Sequence, residues 1–272
     1  MTGASQVLAQ AAFGTGDKRI ASLSESRALI QDVTTSSNVT GLIGVQSDYW
    51  TAKDGTVYVN ARMNRRECAA RYSAMINEND GVIRLLKEDA ERNSGTFDAY
   101  ESLNFAVNAA VVTDNLQGIL EVIDPSATSR RPAYGNADAV RMLVQNAARA
   151  VVITVKVDGD ENSRISRAFA AYFTQKGFRT NTSGLNSYLL SAVLKLENVD
   201  LPNQNNKYVR YLLTAAIADN AGKEVFSYSR NDREGHISES EARQRALRAA
   251  EAAIGSAGFA KEFDAYLESL LK

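Results

Sequence analysis

Apolar and polar positions alternate along this chain with two periods, and the switch between them marks most of its predicted elements. In "TVYVNARM", Val57, Val59 and Ala61 alternate with Tyr58, Asn60 and Arg62, the period of two expected of a half-covered strand. "ALIQDVTTSS" and "VTGLIGVQSDYW", ahead of it, read as two further strands, which predicts a three-stranded sheet. Asp54 and Gly55 supply the residue types that tolerate the positive φ of a tight turn, so Trp50 and Tyr58 are expected close together on paired strands.

From Asn64 the period becomes helical. Cys68, Tyr72, Met75, Ile76, Ile83 and Leu86 fall on one face, and Asn64 with Glu67 has the side chains of a capping box. Gly95, in "RNSG", suits a left-handed stop. A second helical stretch follows, carrying Phe97, Tyr100, Leu103, Val107, Val111, Leu116, Leu120 and Ile123. A short loop between two long stretches predicts an antiparallel helical hairpin.

Two of the three prolines, Pro125 and Pro132, lie in "DPSATSRRPAYGN", the longest run of turn chemistry. The expected organisation is therefore a first domain over 1–124, a linker over 125–135 and a second domain over 136–272. After the linker, "NADAVRMLVQNAARA" reads as a helix, and the order beyond it is β-α-β-β-β-α. The last of these elements is expected as one helix from the Ser238 cap to the C-terminus. The fold class is thus α+β: a three-stranded sheet with a long helical hairpin, then a second α+β domain.

Composition narrows the chemistry. Net charge is -1, so no basic excess advertises nucleic acid. A single cysteine excludes an internal disulfide and cysteine-rich zinc sites, and a single histidine, His236, removes most histidine-based acid–base catalysis. No apolar run reaches the roughly 20 residues of a membrane span. The opening "MTGASQVLAQAAFGTG" lacks the pattern of a signal peptide, and Leu8 to Phe13 reads as the tail of a helix whose start is missing, so a segment removed upstream is expected.

Four candidate sites remain. Cys68 shares its stripe with Tyr72 and Ile76, so burial is expected over nucleophilic chemistry. Arg62, Arg65, Arg66 and Arg71 cluster around a helix start, where an anion or a partner would offset their conflict with the helix dipole; a solvated, paired face is the plainer alternative. Asp158, Asp160 and Glu161, in "VDGDEN", offer oxygens to a metal or carboxylate-dependent hydrolysis, but Asp and Asn are also the ordinary caps of a strand-to-helix turn. His236, just before a helix cap, is expected as a solvated turn residue. No metal, cofactor or catalytic residue is expected.

The residues Gly44, Val45, Trp50, Asp54, Gly55, Thr56, Val57, Tyr58, Val59 and Ala61 resemble the strand pattern of the LPP-twenty-type bacterial lipoproteins. The likeness covers about Ala21 to Arg71, and the C-terminal part is loosely similar in topology to periplasmic α/β domains of envelope assembly factors. The resemblance implies a non-enzymatic cell-envelope protein, periplasmic or at the outer membrane, whose partners are other envelope proteins. No lipobox cysteine is present, so membrane attachment would depend on a lipid anchor outside this sequence. The weighed alternatives are a hydrolase centred on Asp158 and Asp160, and an anion or cell-wall binder acting through the arginines.

Overall fold

A computed structural model of the chain describes residues 43–129, 131–201, 206–255 and 257–270. They form an α+β structure with two sheets, one of two strands and one of five. The chain divides into two compact units, the first containing residues up to Glu91 and Ser102–Leu143, the second Arg92–Glu101 and Val144–Leu271. The segment 125–135, expected as the linker, falls inside the first unit, and Pro125–Ser129 is a 3-10 turn.

In the first unit, β1 (Val45–Thr51) pairs antiparallel with β2 (Val57–Met63). The sheet has two strands among the described residues; the strand expected over Ala28–Ser37 lies outside them. α1 (Arg65–Arg92) and α2 (Phe97–Ile123) follow. The stripe read from the sequence is the stripe buried: Cys68, Tyr72 and Ile76 pack with Leu116, Leu120, Ile123 and Ala127. The N-terminus of α1 meets the C-terminus of α2, and Asn79 of α1 donates to the Thr113 hydroxyl of α2 at 3.0 Å, so the expected antiparallel hairpin forms. Gly95 turns the chain at φ +82, and the Thr96 hydroxyl accepts the Ala99 N–H as the cap of α2.

The second unit is built on a sheet of order β4-β3-β5-β6-β7. After α3 (Ala137–Ala150), β3 (Val152–Asp158) runs parallel to both β4 (Arg179–Asn181) and β5 (Tyr188–Val199). β6 (Lys207–Asp219) and β7 (Glu224–His236) complete it in antiparallel order. α4 (Arg164–Gln175) and α6 (Phe259–Ser269) carry the aromatic half of its core, and α5 (Glu239–Ala252) adds Ala242, Ala246, Leu247 and Ala250. Ile153, Leu190, Val209, Leu213 and Ile217 meet Phe169, Phe173, Phe259 and Phe263 there. The first turn of α2 belongs to this core: Phe97 stacks on Tyr188 at 3.8 Å, and its N–H donates to the Tyr188 hydroxyl at 3.0 Å.

Two expectations are corrected here. β4 was not anticipated: three polar residues carry no period, and the strand exists only because β3 offers it a parallel edge. The C-terminal helix is two helices, α5 and α6, broken between Ala253 and Gly258. At Gly258 a Cβ would stand 1.9 Å from the Ala253 carbonyl oxygen, so the break needs a residue without one. The Ala253 carbonyl instead accepts the Phe259 N–H and the Tyr228 hydroxyl, both at 2.9 Å, tying the break to β7.

Candidate binding surface

The stretch from Asp48 to Tyr72 gathers most of the sequence-predicted candidates, and the structure gives them different fates. Cys68 is 1% exposed. Its sulfur lies where a Cβ on Gly44 would come within 2.7 Å, and Gly44 itself sits at φ +86, so the chain enters β1 directly over the thiol. Nearby, Tyr72 is fully buried and its hydroxyl accepts the Ile43 N–H at 3.0 Å. Cys68 is a packing residue of the helical hairpin.

The four arginines do not converge. Arg62 pairs across the strands with Asp48 at 3.6 Å, both side chains about two-thirds exposed at 66% and 63%, a geometry of small energetic weight. Arg65 points at the far end of α2, where its Nε and Nη2 donate to the Ile123 carbonyl at 3.0 and 2.7 Å. A cation unwelcome at the start of its own helix is thus placed on the unpaired carbonyls that end another, where the dipole favours it. Arg66 and Arg71 are exposed on α1. The Asn64 side chain accepts the Glu67 N–H at 3.3 Å, the half of the capping box that fixes the start of α1.

The exposure of the β1–β2 hairpin is the feature that sequence reasoning missed. Alternation there implied one covered face, yet among the described residues β1 and β2 have no buried position on either face. Even-numbered residues share one side: Asp48, Trp50, Tyr58, Asn60 and Arg62, with Trp50 and Tyr58 stacked at 5.5 Å and 54% and 45% exposed. Odd-numbered residues share the other, where Tyr49, Val57 and Val59 are 79%, 60% and 65% exposed. Trp50 and Tyr58 pair as expected, and both remain open to solvent. The turn is rigid. Gly55 takes φ +82 and donates to the Ala52 carbonyl at 3.0 Å, while the Asp54 carboxylate accepts the Thr56 N–H at 2.9 Å. That hydrogen bond holds the Asp54 pKa below its ordinary value. The hairpin thus presents β-branched and aromatic side chains to solvent on one face.

In the second unit, Asp160 does what a strand-to-helix turn requires. Its two carboxylate oxygens accept the Ile165 and Ser166 N–H groups at 3.0 and 2.8 Å. Burial alone would raise its pKa, but the donors from Ser166, Ile165 and Arg164 outweigh burial and hold it below the usual value. Gly159 precedes it because a Cβ there would meet the Leu194 carbonyl oxygen at 2.2 Å. Asn162 and Ser163 then turn through left-handed φ values of 70° and 54° before α4 begins at Arg164. Asp158 is exposed at the end of β3, and Glu161 pairs with Arg243 at 2.9 Å. No group of three or more His, Cys, Asp or Glu side chains placed to hold a metal occurs among the described residues. His236 accepts the Ser238 N–H at Nδ1, 3.1 Å, and shapes the turn into α5.

No family model matches the chain, and no curated protein matches its sequence. Among solved structures it is similar to a minor lipoprotein from Acinetobacter baumannii, at 11% identity and a TM-score of 0.31, over 41% of this chain and 87% of that one. It is also similar to a secreted protein from Helicobacter pylori, at 13% identity and a TM-score of 0.36, over 86% of each chain. No helix among the described residues is long and apolar enough to cross a membrane.

Proposed function

We propose that this chain is a non-enzymatic protein of the bacterial cell envelope that works by binding other envelope proteins, with the β1–β2 hairpin as its contact element. One observation carries the reading: the odd-numbered face of the hairpin leaves Tyr49, Val57 and Val59 largely in solvent on a two-stranded support. Apolar side chains grouped on such a support gain free energy by burial, about 25 cal/mol per Å² removed from water. The ten residues that resemble the LPP-twenty-type lipoproteins lie in the same hairpin and the turn before it, which supports the envelope as the place of action. Carboxylate chemistry at Asp160 has less support, since both of its oxygens are engaged by helix N–H groups.

Fractionation of cells expressing the full-length native protein tests the location, with recovery from the periplasm or outer membrane expected. Recovery from the cytoplasm alone would overturn the envelope reading. The contact element is tested by Val57→Ser with Val59→Ser, which should abolish co-purification with envelope partners while leaving the thermal unfolding of the protein nearly unchanged.

A further inference from the structure

The hairpin has a second property, at its edge. β2 borders β1 on one side, and on the other no described residue pairs with it. The phase of the ladder fixes which backbone groups lie there. The Ala52 N–H donates to the Thr56 carbonyl at 2.8 Å, and the register continues through Trp50 with Tyr58 and Asp48 with Asn60. Even-numbered residues therefore direct their N–H and C=O groups toward the other strand, and Val57, Val59, Ala61 and Met63 direct theirs outward. The devices that normally blunt an exposed edge are sparse: β2 has no proline and no bulge, and one charge, Arg62.

We propose that this edge is occupied by the same edge of a second copy of the chain, making a four-stranded antiparallel sheet of order β1-β2-β2-β1. Charge decides among the edge-to-edge pairings of two copies. Pairing two β2 strands over their full length sets the two-fold axis at Asn60. Tyr58 then lies opposite Arg62 of the second copy, Val59 opposite Ala61, and Val57 opposite Met63. No like charges meet, a guanidinium reaches a phenol ring, and two amides that can both donate and accept meet at the axis.

The same operation on β1 sets its axis at Asp48 and brings two carboxylates face to face, which is destabilising. Pairing β1 of one copy with β2 of the next does not close and leads to an open chain. Among full-length pairings, only the β2 edge closes on itself without repulsion. One seven-residue strand buries far less than the roughly 800 Å² per partner of a stable complex, so the dimer is of micromolar strength or weaker. The inference rests on the hairpin being a binding element, and it doubles the apolar face offered to a partner.

Cross-linking of the full chain tests it. Across the axis the Asn60 Cα atoms form a non-hydrogen-bonded pair about 4.5 Å apart, inside the disulfide range. Cys68, at 1% exposure, does not compete. Asn60→Cys should give a disulfide-linked dimer under mild oxidation, and Asp48→Cys should not. Light scattering on the unmodified protein should show a mass rising from 29.5 kDa toward twice that value with concentration. Val59→Pro removes an outward N–H that the β1–β2 ladder does not use, and should hold the mass at that of the monomer. Linking at Asp48 as fast as at Asn60, or association unchanged by Val59→Pro, would overturn the proposal. A monomer that still contacts envelope partners through Tyr49 would remove the dimer and leave the contact element standing.

Discussion

Cys68 and Asp160 were both candidates for chemistry, and the structure commits both to holding the fold. Cys68 should resist thiol reagents in the folded protein. Cys68→Ala should cost about 1 kcal/mol of lost packing, and Cys68→Asp considerably more, because a carboxylate would be buried without a partner. Labelling of native protein at the rate seen in denaturant would contradict this. Asp160 should show itself in acid. Its folded pKa is depressed, so the stability it adds is fully present above its unfolded value of roughly 4 and is lost as pH falls through the lower, folded value. Asp160→Asn should therefore destabilise the protein by about 1 kcal/mol at neutral pH, and by progressively less below pH ~4. Urea unfolding of both proteins across that range is the check; a gap constant into strong acid would contradict it. The burial of Cys68 was legible because its neighbours repeat every three to four residues. The capping role of Asp160 was legible because Asp before a helix has few other uses.

At the scale of elements, the long helices were readable from period alone, while their ends were not. Arg65 shows why. Sequence places it at the start of α1, where a cation is misplaced, and only the antiparallel return of α2 reveals the Ile123 carbonyl that receives it. Arg65→Ala should lower stability by roughly 0.5–1 kcal/mol, the scale of a charge on a helix end. Arg65→Lys should recover only part of that, because an ammonium lacks the planar fork that engages one carbonyl through two nitrogens. The break between α5 and α6 was hidden for a related reason. Two glycines in an alanine-rich run are tolerable in a helix, and the distinguishing fact is a 1.9 Å approach to a carbonyl that sequence does not display. Gly258→Ala should cost about 1–3 kcal/mol, as for a side chain forced into packed space, whereas Gly222→Ala, with nothing within 4 Å but φ +80, should cost only its backbone strain of about 1 kcal/mol. Thermal unfolding of the two variants compares them directly. Equal losses would contradict the packing argument.

Over the whole molecule, the α+β class and the order of most elements were legible, because strands and helices declare themselves by period. The division into compact units was less so. Residues 92–101 belong with the second unit although they interrupt the helical hairpin of the first, and what draws them there is the stack of Phe97 on Tyr188, a pair 91 positions apart. Alternation likewise predicted the hairpin but not its exposure, since a period of two reports two distinct faces and says nothing of what covers either. That exposure is the basis of the functional account, and site-specific photo-cross-linking in cells measures its consequence most directly. A photoreactive side chain at Tyr49 should give discrete products with other envelope proteins, while one at Arg71, exposed on α1, should give few or none. Products at Arg71 with none at Tyr49 would contradict the account and move the contact surface from the hairpin to the helices.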